Sequence, residues 1–254
     1  MGSLGLPVME VYAAPQGEGT LVGVPSVFVR LFMCNLRCTW CDTAYSINME
    51  EWKAAKIEEK GPAPATWMQP DILANVIQGF RGRHVVITGG EPTLHSDLPA
   101  LCSLLLKGGY HTTVETNGTK PEMVTEAPMV NLWSVSPKLP GSQANGKLEE
   151  RAKVSVVKWI KATRHAHRKL QLKFVVTDLW HDLEAINTLL EPIDDWQNEE
   201  LFLQPNGDWW NNSHEEGWSK YAELLDAVES FYSLSNARVL PQVHMLAFGR
   251  KRYV

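Results

Sequence analysis

An alternation of short β-rich segments with stretches of helical periodicity limits the possible folds of this sequence more than any other feature. Turns marked by polar residues, glycine or proline separate most of these segments. The predicted strands are Val24–Leu31, His84–Thr88, His111–Glu115, Leu132–Ser136, Leu170–Thr177, Leu201–Gln204 and Val239–Val243, and the predicted helices are Asp71–Phe80, Asp97–Lys107, Leu148–Thr163, Asp182–Leu190 and Glu216–Tyr232. Strands that alternate with helices form βα units on a parallel sheet. The predicted fold class is therefore α/β.

The length of 254 residues fits one α/β unit, and no low-complexity tract or charge block divides the chain. We therefore expect one domain over residues 1–254. The segment Tyr45–Gln69 breaks the alternation, since it combines a charged helical stretch with the Pro-rich exit Gly61-Pro62-Ala63-Pro64. It is predicted to be an insertion at the surface, and a lid over a site is one interpretation of it.

Charge and hydropathy exclude two classes of partner. The formal net charge is −5, with scattered lysines and arginines, so no attraction to a phosphate backbone is expected. No stretch of about 18 apolar residues occurs, which argues against a membrane-spanning helix. We expect a cytoplasmic protein without nucleic-acid or membrane partners. A reducing compartment keeps cysteines free for metal binding.

Polar and glycine-rich motifs follow four of the predicted strands. They are Gly89-Gly90-Glu91-Pro92, Glu115-Thr116-Asn117-Gly118, Ser136-Pro137-Lys138 and Gln204-Pro205-Asn206. In parallel α/β folds the carboxyl ends of the strands meet at one edge, where the loops can vary without disturbing the core. The sequence therefore predicts one shared functional site at this edge.

Three of the four cysteines lie close together, as Cys34, Cys38 and Cys41 in a C-x-x-x-C-x-x-C pattern after the first predicted strand. So short a loop can bring three thiolates to one metal centre. A structural zinc site normally has four ligands, and the neighbouring sequence supplies no fourth. A cuboidal iron–sulfur cluster held by three thiolates leaves one iron open to another ligand. The remaining cysteine, Cys102, lies in an apolar helical run and is predicted to be inert.

The cysteine loop, with Trp40 before its last cysteine, resembles the first motif of the radical S-adenosylmethionine superfamily, and Gly89-Gly90-Glu91-Pro92 resembles the second. The finer resemblance is to the 7-carboxy-7-deazaguanine synthase family. It rests also on Gln16-Gly17-Glu18-Gly19, Arg30, Cys41-Asp42-Thr43, Glu115-Thr116-Asn117-Gly118, Ser136-Pro137-Lys138, Leu203-Gln204-Pro205 and Gln242-Val243-His244. Met33 departs from the pattern, since this family usually has glycine before the first cysteine. The resemblance implies an incomplete, TIM-like barrel with its helices outside.

The superfamily resemblance implies a [4Fe–4S] cluster on Cys34, Cys38 and Cys41, with S-adenosylmethionine chelating the open iron. In that superfamily, electron transfer to the sulfonium gives a 5′-deoxyadenosyl radical. Glycines permit close backbone approach, and a glutamate can pair with the methionine ammonium. The residues that the resemblance assigns to S-adenosylmethionine are Trp40, Cys41, Asp42, Gly89, Gly90, Glu91, Ser136, Pro137, Lys138, Gln204, Pro205 and Asn206.

The family resemblance also implies contacts with a pterin substrate and a Mg²⁺ ligand, Thr43. The implied substrate residues are Pro15, Gln16, Gly17, Glu18, Arg30, Thr88, Glu115 and His244. Arg30 suits a bidentate contact with a carboxylate, and amide and carboxylate groups can match the pterin's donors and acceptors. Glu115 could instead bind the ribose hydroxyls of S-adenosylmethionine. Beyond the cluster and the cofactor, His244 is the one candidate catalytic side chain.

The activity that the resemblance implies is conversion of 6-carboxy-5,6,7,8-tetrahydropterin to 7-carboxy-7-deazaguanine with loss of ammonia, a carbon–nitrogen lyase step in queuosine biosynthesis. Such an enzyme takes electrons from a reductase or flavodoxin and is expected to be a homodimer. Two alternatives stay open. An activase of a glycyl-radical enzyme shares both motifs, and a non-catalytic metal-binding module would account for the cysteines alone.

Overall fold

The computed structural model describes residues 4–55, 64–142, 148–191, 193–211 and 213–248, and its centre is one sheet. Within these ranges the strands are β1 (Leu6–Pro15), β2 (Pro25–Leu31), β3 (Thr66–Met68), β4 (His84–Gly89), β5 (His111–Thr116), β6 (Leu132–Val135), β7 (Lys169–Val176), β8 (Glu200–Pro205) and β9 (Arg238–Val239). Their order is β3-β1-β2-β4-β5-β6-β7-β8-β9. All neighbours from β2 to β9 are parallel, whereas β1 pairs antiparallel with both β2 and β3.

Helices connect the parallel strands as the predicted alternation requires. The described helices are α1 (Met49–Ala54), α2 (Pro70–Gln78), α3 (Leu98–Lys107), α4 (Met123–Glu126), α5 (Leu148–His165), α6 (Leu179–Leu190), α7 (His214–Glu229) and α8 (Val243–Phe248). Side-chain caps start three of them, at Asn48, Asp178 and Ser213. Asp178 accepts from His181 N, and Ser213 accepts from Glu216 N. Because β3 and β9 lie at opposite ends of the strand order, the barrel is incomplete.

The strands have one apolar and one polar face, because successive side chains point to opposite sides. On β7, Leu172 and Phe174 belong to the hydrophobic core beneath the helices, whereas Gln171 and Lys173 face the other way. The same division holds on β4, where Ile87 is in the core and Thr88 is not. Each fully buried aliphatic side chain contributes about 2 kcal/mol to stability. The polar inner face is left for chemistry.

The predicted strand Val239–Val243 is wrong beyond its first residue. β9 ends at Val239, and α8 begins at Val243. Pro241 lies between them, and a proline cannot donate to a strand ladder. The structure also adds β1, β3 and α4, which the sequence did not predict. The regular alternation of β1 is broken by a register shift between Val8 and Glu10, which hides its strand pattern.

The segment 45–69 is more closely tied to the fold than an insertion would suggest. Asn48 caps α1 by accepting hydrogen bonds from Glu50 N and Glu51 N, both at 2.9 Å. Further on, β3 extends the sheet by pairing with β1. Residues 56–63 of this segment, including most of its Pro-rich exit, lie outside the described residues. The single-domain organisation stays a prediction.

None of the described helices has the length and apolar character needed to cross a membrane.

Candidate active site

A cavity of about 280 Å³ lies on the inner face of the sheet and reaches the carboxyl ends of the strands. It is lined by predicted site residues from every part of the chain: Pro15, Gln16, Gly17, Glu18, Arg30, Cys34, Cys38, Trp40, Cys41, Asp42, Thr43, Thr88, Gly89, Gly90, Glu115, Ser136, Lys138, Gln204, Asn206 and His244. Glu91, Pro137 and Pro205 are absent from this lining. The separate motifs therefore meet at one site, while their individual roles stay predictions.

The cysteine loop follows β2 and places three thiols on the cavity wall. A turn in which Cys41 N donates to Cys38 O at 3.2 Å shapes its second half. Leu36 N donates to Cys34 Sγ at 3.4 Å, and Asn117 Nδ2 lies 3.8 Å from the same sulfur. Burial raises the pKa of all three thiols, that of Cys41 to about 11. Metal binding must therefore displace protons from them.

Three free thiols on one wall are a donor set that suits an iron–sulfur cluster. In the described part of the chain, no group of three or more His, Cys, Asp or Glu side chains is arranged to hold one metal ion. A cuboidal cluster binds each thiolate through a different iron, so its cysteines need not converge on one point. All three are free thiols, and the indole N–H of Trp40 on the same wall is buried without a described partner.

Gly89 and Gly90 pack directly against the chain that enters the cysteine loop. Gly90 N donates to Leu31 O at 2.8 Å, and Glu91 N donates to Met33 O at 2.7 Å. A Cβ on Gly90 would lie 2.0 Å from Met33 O, so no side chain fits there. Met33 has a φ of 78°, in the left-handed region that favours glycine. This conformation explains why glycine would suit the position before Cys34.

Glu91 is fully buried and is not among the residues that line the cavity, and its predicted contact with S-adenosylmethionine stays a prediction. Its Oε1 accepts from Thr93 N at 3.0 Å, from Thr93 Oγ1 at 2.6 Å and from Thr116 Oγ1 at 2.7 Å. Its Oε2 accepts from Asn117 N at 2.6 Å. The carboxylate therefore joins the end of β4 to the turn after β5.

The loop after β1 brings a polar network across the inner face. Gln16 Nε2 donates to Glu115 Oε1 at 3.2 Å, and Gln242 Nε2 donates to Glu18 Oε1 at 2.6 Å. The Glu18 carboxylate also pairs with the ammonium of Lys173. Burial lowers the pKa of Lys173 to about 8. Sequence reasoning missed Lys173, although a charged residue between Leu172 and Phe174 is a visible signal for an inward-facing side chain.

The Arg30 side chain is 13% exposed, and two partners that the sequence did not indicate fix its guanidinium. Its Nε donates to Glu10 Oε2 at 2.9 Å, and its Nη2 donates to Tyr12 Oη at 3.1 Å. Burial opposes its charge, but Tyr45 and other neighbours, including Glu10, raise its pKa and keep it protonated. Arg30 therefore presents a fixed positive charge to the cavity.

His244 reaches the cavity from α8, a helix that the sequence did not predict. Val243 N donates to Gly17 O at 3.0 Å, which ties this helix to the loop after β1. A Cβ on Gly17 would lie 2.2 Å from His244 Nδ1, so only glycine leaves room for the ring. Burial lowers the pKa of His244, which keeps the imidazole neutral near neutral pH.

Comparison with known proteins identifies the family. Residues 30–179 match the radical SAM superfamily. The 7-carboxy-7-deazaguanine synthase of Halobacterium salinarum is 41% identical over 202 residues, which cover 74% of this chain and 70% of the relative. This chain belongs to the 7-carboxy-7-deazaguanine synthase family.

Further members and a solved structure agree with that assignment. The 7-carboxy-7-deazaguanine synthase of Escherichia coli K12 is 34% identical over 207 residues, which cover 78% of this chain and 84% of the relative. The crystal structure of QueE from Escherichia coli superposes with a TM-score of 0.62 at 28% identity and covers 94% of each chain. The predicted recognition and the predicted partial-barrel fold class are both confirmed.

Membership of the 7-carboxy-7-deazaguanine synthase family implies a [4Fe–4S] cluster and S-adenosylmethionine. The side chains that line the cavity around the cysteine loop suit that cofactor. Lys138 Nζ lies 5.1 Å above the Trp40 ring and 3.0 Å from Ser136 Oγ, so an aromatic surface and a cation stand beside Cys41. Neither the glycyl-radical activase nor the non-catalytic metal module is favoured by these findings.

Proposed function

We propose that this chain converts 6-carboxy-5,6,7,8-tetrahydropterin to 7-carboxy-7-deazaguanine with loss of ammonia, as a radical carbon–nitrogen lyase in queuosine biosynthesis. One observation carries the proposal: a single cavity joins the three-cysteine loop to a group of fixed polar and charged side chains on the inner face. The names of the similar enzymes support the same reaction.

On the loop side of the cavity, the chain holds the cofactor. When bound, the cluster and S-adenosylmethionine supply the 5′-deoxyadenosyl radical that starts the reaction. Cys34, Cys38 and Cys41 would hold the cluster, and Gly89 and Gly90 line the cavity beside the cysteine loop, where the methionine moiety would bind. Trp40, Ser136, Lys138 and Asn206 line the cavity around this loop and would contact the rest of the cofactor. The protein's contribution here is to position the reacting atoms and to exclude water.

On the inner face, the chain binds the substrate. The guanidinium of Arg30, held by Glu10 and Tyr12, has N–H groups left to bind the pterin carboxylate. Gln16, Glu18 and Glu115 form a connected set that can match the donors and acceptors of the heterocycle. His244 is neutral near neutral pH and can accept or return a proton during the loss of ammonia.

Mg²⁺ is proposed as a second cofactor, with the Thr43 hydroxyl as its protein ligand. Thr43 lines the cavity, and its Oγ1 lies 3.8 Å from Cys41 Sγ, between the two sides of the site. Magnesium is often held by one or two protein oxygens together with substrate oxygens and water. We expect Thr43→Val to weaken the Mg²⁺ dependence of turnover and Thr43→Ser to retain it. Equal Mg²⁺ activation of both variants would contradict the assignment.

The assembly and setting of the enzyme are proposals from the family. We propose a homodimer in the cytoplasm that takes electrons from a reductase or a flavodoxin. The three free thiols of the cysteine loop suit a reducing compartment. Sedimentation equilibrium of the anaerobic protein should give twice the monomer mass of 28.5 kDa. A monomer at all concentrations would contradict the dimer.

The proposed reaction is tested by incubating the anaerobic, cluster-loaded protein with the pterin, S-adenosylmethionine, Mg²⁺ and a chemical reductant. Mass spectrometry should detect the deazapurine and ammonia release in equal amounts. Formation of 5′-deoxyadenosine without any deazapurine would overturn the substrate assignment and leave the radical chemistry. Failure to form either product would overturn both.

A further inference from the structure

Lys173 is a buried cation that neither the sequence motifs nor the family comparison assigns to a role. It lies on β7, faces the cavity and is 7% exposed. Within the described residues, the Glu18 carboxylate is its hydrogen-bond partner, which leaves further N–H groups of the ammonium without one. A buried ion pair adds little net stability compared with an apolar pair of similar size. Since stability alone does not account for a buried lysine on the cavity wall, we expect Lys173 to contact a ligand.

The partner carboxylate is fixed in place by its own neighbours. Gln242 Nε2 donates to Glu18 Oε1 at 2.6 Å, and Gln204 Nε2 lies 3.4 Å from the same oxygen. The backbone N–H of Glu18 donates to Gln16 Oε1 at 3.2 Å. The cavity wall therefore carries a carboxylate acceptor directly beside an ammonium donor, and both have little freedom to move.

The proposed substrate has an edge that complements this wall. The pyrimidinone ring of a pterin presents two donors, the 2-amino group and N3–H, next to one acceptor, the 4-oxo oxygen. A carboxylate can accept from the two donors, while a neighbouring ammonium donates to the oxygen. We propose that Lys173 is a specificity-determining residue that donates to the 4-oxo oxygen of the pyrimidinone, beside the donor edge bound by Glu18. This inference rests on the proposed function.

The choice of lysine makes the contact selective. An ammonium has donors and no acceptor, so a 4-amino analogue would place donor against donor in a buried site. Buried polar groups left unpaired are a strong source of discrimination between substrates. Other charged or titratable side chains also line the cavity: Glu10, Tyr12, Arg30, Asp42, Tyr45, Glu115, Lys138 and His244. Among the described residues, the ion pair found for the Lys173 ammonium is the one with Glu18.

Two probes separate this contact from a general structural role. Pterin-6-carboxylate carries the 4-oxo group and N3–H, and 2,4-diaminopteridine-6-carboxylate carries a 4-amino group and an unprotonated N3. The change in preference between Lys173→Gln and the unchanged protein therefore reports on Lys173, whereas the preference itself also includes the contact of Glu18 with N3–H. Calorimetry on the anaerobic, cluster-loaded protein should show about a 100-fold preference for the 4-oxo probe. Lys173→Gln should lower the affinity for the 4-oxo probe by tenfold or more. It should leave the affinity for the 4-amino probe unchanged or raise it. Lys169→Gln, an exposed change on the same strand, should leave both affinities unchanged.

A measurement on the unchanged protein covers the case in which Lys173→Gln does not fold. At neutral pH the unchanged protein should bind the 4-oxo probe more tightly than the 4-amino probe, because an ammonium donates to the 4-oxo oxygen and repels a 4-amino donor. Equal loss of affinity for both probes in Lys173→Gln, or equal affinities of the unchanged protein for the two probes, would overturn the role of Lys173. If the unchanged protein binds neither probe, the proposed substrate is contradicted, and this inference is contradicted with it.

Discussion

The two ends of the inner face use polar residues in opposite ways. At the carboxyl end, Cys34, Cys41 and Lys138 project from loops into the cavity, and they are only partly buried. At the amino end, Ser26, His84 and Thr113 are nearly inaccessible and hydrogen-bond one another. His84 Nδ1 lies 2.8 Å from Ser26 Oγ, and its Nε2 lies 2.8 Å from Thr113 Oγ1.

The difference is whether the polar side chains line a cavity or are enclosed by the protein. Ser26 Oγ donates to Val24 O, so the ring of His84 must donate to Ser26 through Nδ1 and accept from Thr113 through Nε2. Each polar atom of this group has a partner within the protein, which leaves nothing for a ligand. The carboxyl end therefore serves chemistry and the amino end serves the fold.

The largest expected effect is at the carboxyl end. Cys38→Ala should abolish iron loading and lower S-adenosylmethionine cleavage by about 10³-fold or more, because groups that act as one unit fail together. Iron analysis and 5′-deoxyadenosine formation measure this. Cys102→Ala is the matched control, since Cys102 is buried in α3 away from the cavity. It should keep its iron and lose about 1 kcal/mol of stability. Equal iron loss in both variants would contradict the assignment of metal binding to the cysteines at the carboxyl end.

Glu91 lies at the carboxyl end of the inner face, but its carboxylate is fully hydrogen-bonded within the protein, as the polar side chains of the amino end are. The variant Glu91→Ala tests whether this network stabilises the fold. It leaves the donors of Thr93, Thr116 and Asn117 unpaired, so unfolding free energy should fall by about 3 kcal/mol. Denaturant unfolding of the metal-free protein measures the change. We expect the iron content of the folded variant to fall less than in Cys38→Ala. Unchanged stability would show that the Glu91 network does not hold β4 to β5.

The buried histidine at the amino end should make the stability of the protein depend on pH in the acid range. Burial lowers the pKa of His84 to about 4, so between pH 6.5 and 4 the unfolded chain binds a proton that the folded chain does not. Stability should therefore fall with decreasing pH over this window, by up to about 3 kcal/mol from this residue. His84→Gln should remove that part of the pH dependence. The same change at His181, an exposed residue of α6, should not.

Gly17→Ala gives the smallest expected effect and separates steric from conformational roles of glycine. Its Cβ would displace His244, so KM for the pterin should rise about tenfold, equivalent to about 1.4 kcal/mol. Gly23→Ala is the control, because Gly23 has a φ of 85° and nothing within 4 Å of its Cβ. It should cost stability without changing KM. A similar KM change in both variants would contradict the contact with His244.

The sequence predicted the βα alternation and the loop motifs well, because both leave local patterns. Cys34, Gly90 and Lys138 stand in motifs that follow strands, and the structure brings them to one cavity. The prediction of a strand at Val239–Val243 was wrong because it gave more weight to the apolar, β-branched residues than to Pro241. Short helices such as α8 gain their stability from packing and not from propensity, so their own residues reveal little.

The partners within the site were harder to predict than the motifs. Glu10 and Lys173 lie within strands and not in loop motifs. They belong to the site because their side chains lie on the inner face of the sheet, where they pair with Arg30 and Glu18. Which long-range partner each one meets depends on strand order and register, which no local pattern records. The buried position of Glu91 was missed for the same reason, since its partners lie on the turn after β5.

The alternating faces of the parallel strands have a consequence for how such enzymes can diverge. A substitution at Lys173 changes the chemistry of the cavity, while the neighbouring Leu172 and Phe174 keep β7 packed under the helices. New specificities can therefore arise by single replacements at every second position without a cost to the core. An insertion of one residue in β7 would exchange the two roles along the rest of the strand, so lineages should vary by substitution here and by insertion only in the loops.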